Sequence, residues 1–161
     1  MTRTLLSILA ASSVLAAPAF PAVLKERILD VRPGVEEPDP VLRRAIELVE
    51  SGGRAKAVGD GGKAVGILQI HPVVVDDVNR ILGETKYGLQ DRTSVVKSRE
   101  MFWVYTQHYS KDASREVIAR RWNGGPKGDK KEATAAYWRK VEAEIQKLDA
   151  GARRRVCGNP R

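Results

Sequence analysis

The sequence LVESGGRAKAVGDGGKAVGILQIHP, residues 48–72, joins an apolar segment to a glycine-rich loop. Glu50 is followed by Ser51 and then by Gly52 and Gly53, and glycine ends helices because it adopts the left-handed backbone conformation. Beyond the loop, Gln69 is the one polar side chain in an apolar run. The stretch therefore predicts a helix that presents a carboxyl group at the edge of a loop.

The helix that leads to Glu50 begins at a clear signal. Asp39 is a favoured N-cap, and Pro40 fits the first helical position. Apolar residues then recur at helical spacing, at Leu42, Ala45, Ile46 and Val49. Apolar patterning and glycine or proline stops predict further helices over about residues 72–82, 94–109, 114–122 and 131–148. We expect a mainly α fold with a short glycine-rich loop or small β-hairpin after the first core helix.

The N-terminus has the pattern of a secretory signal peptide. A short basic start precedes the apolar or small residues 5–17 and an A-x-A cleavage pattern at 17–19. That run is too short to span a membrane, which takes about 20 residues. We divide the chain into a signal peptide (1–19), an N-terminal arm or linker (20–38), a folded domain (39–149) and a basic tail (150–161). We expect a periplasmic or secreted protein without an integral membrane span after signal cleavage.

Charge and residue counts limit the partners and cofactors. The formal charge is +8 and becomes +7 without Arg3, which suits an anionic nucleic acid, membrane surface or wall polymer. Cys157 is the only cysteine, and two histidines are too few for a convincing zinc site. We expect a monomer with no metal and no cofactor. The export signal and the lack of a nucleic-acid-binding motif argue against a nucleic-acid partner.

Glu50 has the sequence setting of a catalytic acid. The negative end of the helix dipole and the apolar neighbours Leu48 and Val49 both raise the pKa of a carboxyl group. A carboxyl group that stays protonated near neutral pH can protonate the leaving oxygen of a glycosidic bond. On this segment alone, an ordinary helix-end glutamate is the more frequent alternative.

Four short motifs occur in order along the chain: Glu50-Ser51, Gly66-Ile67-Leu68-Gln69, Trp122-Asn123-Gly124 and the segment from Thr134 to Tyr137. Together they resemble the catalytic domain of soluble lytic transglycosylases, which is similar to goose-type lysozyme. The family pattern is Glu-Ser, Gly-Leu-Met-Gln, Tyr-Asn-Ala-Gly and a later Tyr. The resemblance covers about residues 41–142 and implies a lysozyme-like helical domain.

The resemblance also implies a reaction. The family cleaves the β-1,4 bond between N-acetylmuramic acid and N-acetylglucosamine in peptidoglycan glycan strands, and it requires no metal. Glu50 would act first as acid and then as base, while the muramic 6-hydroxyl closes a 1,6-anhydro ring. Ser51 would orient Glu50. Gln69 and Asn123 would contact the sugars, and Tyr137 would lie close to the acid.

Asp60, in the glycine-rich loop, leaves a second reaction open. A second carboxylate can activate water in an inverting hydrolase, which would make the protein a hydrolytic lysozyme that uses Glu50 plus Asp60. An aspartate before two glycines is more often a turn residue. A third possibility is a catalytically silent domain that binds wall glycans on the same fold.

The chain departs from the family pattern at Leu68, Trp122 and Gly124, where the family has Met, Tyr and Ala. Arg120 and Arg121, beside Trp122, either contact an anionic glycan or peptide or lie on solvated surface. Of the two histidines, His71 precedes Pro72 and is expected to be a helix-start residue rather than a catalyst.

Overall fold

The computed structural model describes residues 39–157. This part of the chain forms five α-helices, one two-stranded sheet and several short 3-10 turns, so the predicted mainly α class is confirmed. The predicted signal peptide (1–19), the arm (20–38) and residues 158–161 lie outside the described residues.

Helix α1 spans Pro40–Ser51 and has the predicted caps. The side chain of Asp39 accepts a hydrogen bond from the backbone N–H of Leu42 at 2.9 Å. At the other end Gly52 adopts a left-handed φ of 65°, and its N–H bonds to the carbonyl oxygen of Leu48 at 2.9 Å. The helix therefore stops directly after Glu50 and Ser51.

The loop after α1 folds into the small hairpin that was one of two predicted forms. Strand β1 (Val58–Gly59) pairs antiparallel with β2 (Ala64–Val65), and the turn Asp60–Gly62 joins them. A further bridge between Val65 and Ile70 brings the apolar run back beside the hairpin.

The buried guanidinium of Arg92 holds the hairpin in place, and the sequence analysis missed it. Its Nη1 donates to the carbonyl oxygens of Lys63 at 2.8 Å and Ile70 at 3.1 Å. The backbone of Arg92 also passes so close to Gly66 that a Cβ at residue 66 would collide with the Arg92 carbonyl oxygen. Gly66 has a φ of 88°, so both the space and the backbone conformation require glycine.

The remaining helices are α2 (Pro72–Leu82), α3 (Val95–Ser110), α4 (Arg115–Gly124) and α5 (Ala135–Cys157). Short 3-10 turns lie between α2 and α3 and between α4 and α5, at Leu89–Thr93, Gly128–Lys130 and Glu132–Thr134. Helix α5 continues well beyond the predicted end near Leu148. Residues 150–157 of the predicted tail therefore belong to this helix.

The helices surround one apolar core. Helix α1 packs against α5, α2 against α3, and α4 against both α3 and α5. Fully buried side chains from all of these layers meet there, among them Leu42, Ile46, Leu68, Ile70, Val75, Val78, Met101, Val104 and Val141. Among residues 39–157, no helix is long and apolar enough to cross a membrane.

Candidate active site

A cleft of about 280 Å³ opens at the C-terminal end of α1. It brings together four of the predicted site residues, which come from α1, the hairpin, the apolar run and the end of α4. The lining residues are Glu50, Asp60, Ala64, Gln69, His71, Val74, Trp122 and Asn123. Residues far apart in sequence thus lie around the carboxyl group of Glu50, at the end of α1.

Glu50 is partly buried and lines this cleft, and its hydrogen-bond partner is Tyr137 of α5. The Tyr137 hydroxyl donates a hydrogen bond to Oε1 of Glu50 at 2.7 Å. Burial raises the pKa of Glu50, the hydrogen bond from Tyr137 lowers it in part, and the result is a pKa of about 7. A carboxyl group with this pKa is present in both protonation states near neutral pH, so it can give up a proton and take one back.

Tyr137 acts on Glu50 as a hydrogen-bond donor. Burial and the neighbouring Glu50 carboxylate hold the pKa of Tyr137 well above its ordinary value. The phenol therefore keeps its proton across the physiological pH range and points it at the carboxyl group. This contact lies where the sequence analysis expected Tyr137 to lie.

Ser51 has a different position from the one expected for an orienting residue. Its hydroxyl lies 2.7 Å from the carbonyl oxygen of Ile67 and 3.1 Å from that of Glu47, and it accepts from the N–H of Arg54. These partners are all backbone groups. Ser51 thus ties the apolar run to the end of α1, and it acts on Glu50 through the backbone that it fixes.

Gln69 lines the cleft in a strained backbone conformation, with a φ of 48°. Its amide nitrogen donates to the carbonyl oxygens of Gly66 at 2.9 Å and Ala57 at 3.2 Å. A Cβ at Gly59 would collide with the Gln69 amide oxygen, so Gly59 leaves the space that this side chain occupies. The amide nitrogen is thus used to shape the loop, and the residue contributes to the cleft wall.

Asp60 and His71 form a polar pair on the exposed side of the cleft. His71 Nε2 lies 3.7 Å from Asp60 Oδ2, and the Asp60 side chain is 61% exposed. His71 is the N-cap of α2, as predicted, but its side chain makes no cap hydrogen bond and lines the cleft instead. His71 was not predicted as a site residue, although it lies only two residues after Gln69 in the sequence.

Trp122 and Asn123 close the cleft from the end of α4. The Trp122 ring packs edge-on against Phe102 at 4.9 Å and Tyr105 at 5.5 Å, which fixes one side of the indole in the core. Asn123 is exposed at the cleft edge. Both residues also line a second cleft of about 580 Å³, so the two clefts lie side by side, and we refer to them together as the groove.

Arg120 and Arg121 are engaged within the protein. Arg120 donates to Thr134, Glu116 and the Lys131 carbonyl oxygen, whereas Arg121 pairs with Asp129 at 2.8 Å. The sequence analysis gave two alternatives for these arginines, contact with an anionic ligand or a solvated surface position. The structure shows neither, because both side chains are mostly buried and paired within the protein. They instead hold the turn after α4 and thereby position Trp122 and Asn123.

No protein-family model, curated protein or solved structure matches the chain. Within residues 39–157, no group of three or more His, Cys, Asp or Glu side chains could hold a metal ion.

Proposed function

We propose that the protein is an exported peptidoglycan lytic transglycosylase with Glu50 as its single acid and base. The observation that carries the proposal is the setting of Glu50, a half-buried carboxyl group that lines an open cleft, accepts a hydrogen bond from Tyr137 and has a pKa of about 7. A general acid for glycoside cleavage needs this property, because it must hold a proton at the pH at which it works. The four ordered sequence motifs add the substrate class.

The reaction uses one carboxyl group twice. Protonated Glu50 gives its proton to the glycosidic oxygen as the bond to the muramic C1 breaks. Glu50, now a carboxylate, then takes the proton of the muramic 6-hydroxyl as that oxygen bonds to C1. The products are a free 4-hydroxyl on one sugar and a 1,6-anhydro ring on the other, and no water is consumed.

Tyr137 supports both halves of this cycle. Its hydroxyl stabilises the carboxylate that forms when Glu50 loses its proton, since the hydrogen bond favours the charged state. Without that donor the buried carboxylate would be harder to form. Gln69 and Asn123 both line the cleft. The Asn123 amide and the amide oxygen of Gln69 would supply polar groups for the acetamido and hydroxyl groups of the sugars.

A second candidate reaction is hydrolysis with Asp60 as the base. The observation in its favour is that Asp60 lines the same cleft as Glu50 and lies 3.7 Å from the imidazole of His71. In this reaction Asp60 would activate water, and the product would have a reducing end. A silent wall-glycan-binding domain remains the third candidate and predicts binding without turnover.

Mass spectrometry of digested peptidoglycan separates the candidates. The transglycosylase yields 1,6-anhydromuramic ends, and Glu50→Gln lowers its rate by about a thousandfold because the amide cannot donate the proton. The matched control is Glu142→Gln, the same change at an exposed glutamate of α5, and it keeps the wild-type rate. Reducing ends that disappear in Asp60→Asn would favour hydrolysis instead. Unchanged lysis by Glu50→Gln would exclude both enzyme assignments.

A further inference from the structure

Three arginines share the one carboxylate of Glu47, and none of these four residues lines either cleft of the groove. Burial raises the pKa of Glu47, but Arg99 and Arg43 outweigh that effect, so the carboxylate is ionised at neutral pH. The guanidinium groups keep their charge at any ordinary pH. Arg43, Arg44 and Arg99 around Glu47, which we call the arginine cluster, therefore carry an excess of two positive charges, three against one.

Other carboxyl groups on the same helices do not offset this excess. Within residues 39–157, the ion-pair partner of both Arg44 and Arg99 is Glu47 alone. Glu100, the residue after Arg99, accepts a hydrogen bond from the Tyr87 hydroxyl at 2.9 Å and lies 3.9 Å from Lys86. The surplus charge of the arginine cluster is thus left for a group from outside the protein.

Two of the three guanidinium groups reach the surface. The side chain of Arg44 is 43% exposed and that of Arg99 is 40% exposed, whereas that of Arg43 is 12% exposed. A guanidinium group has five N–H donors. Among the described residues, Arg44 gives one hydrogen bond and Arg99 gives two, all to Glu47. Most donors of these two groups are therefore open to a ligand.

Glu47 also fixes where the open donors lie. Arg44 Nη1 and Arg99 Nη2 are 3.2 and 3.3 Å from the same oxygen, Oε2, so one tetrahedral oxyanion can bridge the two guanidinium groups. Gly53 leaves room for this arrangement, because a Cβ at residue 53 would lie 2.9 Å from Arg44 Nη1. Little side-chain freedom is lost on binding, since the carboxylate already holds both groups in place.

We infer that the arginine cluster binds a phosphate monoester, at a site that does not depend on the proposed reaction. Such a group carries about −1.5 to −2 charges at pH 7, which matches the excess of the cluster, and it has three acceptor oxygens. Guanidinium groups bind phosphate oxygens through paired N–H donors. A carboxylate is a poorer ligand here, because it has one charge and only two oxygens. The phosphate can come from a lipid headgroup or from a soluble compound.

Binding of a soluble probe, glycerol phosphate, is the first test. Carbon-detected NMR follows the guanidinium groups of Arg44 and Arg99 at pH 7 and constant ionic strength. We expect saturable shifts with a dissociation constant of about 1 mM, as about two charge-assisted hydrogen bonds would give. Acetate should bind about tenfold more weakly. The absence of saturable shifts, or equal affinity for the two anions, would overturn the inference.

Substitution of Arg44 assigns the binding to the arginine cluster. Arg44→Gln should weaken glycerol phosphate binding by about tenfold, because one of the two open guanidinium groups is lost. Arg43 and Arg99 still pair with Glu47 in this variant, so the buried carboxylate keeps cationic partners. Arg44→Lys keeps the charge without the paired donors and should have an intermediate affinity.

Arg115→Gln is the matched control for Arg44→Gln. The Arg115 side chain is 45% exposed and also pairs with a carboxylate, that of Asp39, but one to one. Its loss should change the affinity by less than about twofold. An equal loss of affinity in Arg44→Gln and Arg115→Gln would mean that binding follows net charge, and it would contradict the site.

Vesicle sedimentation distinguishes the two sources of the phosphate. The vesicles are phosphatidylcholine with phosphatidic acid (four to one) and phosphatidylcholine alone. Wild-type protein that sediments with the first kind, and about tenfold more strongly than Arg44→Gln, would support the site with a lipid headgroup as its ligand. Equal sedimentation of the two proteins, together with glycerol phosphate binding that needs Arg44, would support the site with a soluble ligand.

Discussion

Glu47 and Glu50 lie one helical turn apart on α1, and their carboxyl groups have opposite protonation behaviour. Glu47 is fully buried at 0% exposure, and yet its pKa is lowered. Glu50 is less buried, and its pKa is raised to about 7. Burial raises the pKa of both groups, and the pKa of Glu47 is nevertheless lowered because its partners outweigh burial.

The partners of Glu47 are cations. Burial alone would raise its pKa, but hydrogen bonds and charge from Arg99 and Arg43 outweigh that effect. Arg99 Nε lies 2.8 Å from Oε1, Arg43 Nη1 lies 2.5 Å from the same oxygen, and Arg44 Nη1 lies 3.2 Å from Oε2. Glu47 is thus a buried ion whose role is to join α1 to α3.

The partner of Glu50 is a neutral phenol. Tyr137 gives the carboxylate one hydrogen bond and no positive charge, so burial is only partly offset. The same helix therefore carries one carboxyl group that is fixed as an ion and one that can exchange its proton. The comparison predicts which substitutions change stability and which change activity.

The largest expected effect on stability is at Glu47. Glu47→Ala removes the buried carboxylate that Arg43, Arg44 and Arg99 share, and it should lower the free energy of unfolding by about 3 to 5 kcal/mol. Because the folded-state pKa of Glu47 lies below the ordinary value of 4.5, this contribution is full above pH 4.5 and is lost as the pH falls below it. Denaturant unfolding at pH 7 measures the change.

The exposed Glu142 supplies the control for this experiment. Glu142→Ala, on α5, should change the unfolding free energy by no more than about 0.5 kcal/mol. A Glu47→Ala protein as stable as the control at pH 7 would contradict the ionic role of Glu47.

At Glu50 a substitution should stabilise the protein, and in a pH-dependent way. The raised pKa means that folded protein binds more protons than unfolded protein between pH 4.5 and about 7, so ionisation of Glu50 lowers stability as the pH rises. Glu50→Gln removes that penalty. Its effect on the free energy of unfolding should therefore be about 3 kcal/mol more stabilising at pH 8 than at pH 4.

Chemical unfolding of wild type and Glu50→Gln at the two pH values tests this sign. Glu142→Gln, at an exposed glutamate, is the control. Its free energy of unfolding should differ from that of wild type by the same amount at pH 4 and at pH 8. A Glu50→Gln protein that gains more stability at pH 4 than at pH 8 would mean that the pKa of Glu50 is lowered.

A smaller effect is expected from Tyr137→Phe. Activity that needs protonated Glu50 falls as the pH rises through about 7. Loss of the Tyr137 hydrogen bond removes an interaction that favours the carboxylate, so the fall should move to higher pH by about one unit. The profile of kcat/KM against pH, with a soluble glycan substrate, measures the shift.

Tyr87→Phe is the matched control, because it also removes a hydroxyl that bonds a glutamate, here Glu100 at 2.9 Å and outside the groove. Its pH profile should be that of wild type. A profile that moves to lower pH in Tyr137→Phe would contradict the role given to the phenol.

Local sequence signals predicted much of this fold. The capping residues Asp39, Pro40 and Gly52 predicted the bounds of α1. The glycine-rich segment predicted either a loop or a small β-hairpin, and the structure has the hairpin. The end of α5 was predicted too early, because the basic residues after Leu148 were assigned to a tail, whereas the helix continues through Gly151 to Cys157. Local propensity is weak at such a position.

The groove was predictable only in part. The convergence of Glu50, Gln69 and Asn123 on one cleft followed from ordered motifs. The partners of Ser51, the amide contacts of Gln69 and the Arg92 clamp depend on carbonyl groups that come from distant segments, and no sequence pattern marks a backbone acceptor. The position of His71 and the second cleft, which is lined by α2 and the end of α4, likewise depend on the packing of segments that are distant in sequence.

Direct titration of the two glutamates tests the central claim, that α1 carries one fixed ion and one exchangeable proton. The side-chain carboxyl carbons are followed by NMR from pH 3 to pH 9, and Glu50 is assigned by the resonance that Glu50→Gln removes. The account predicts a midpoint of about 7 for Glu50 and one below 4.5 for Glu47. A Glu50 midpoint at or below 4.5 would contradict it, because the carboxyl group could not then be the acid of a glycosidase at neutral pH.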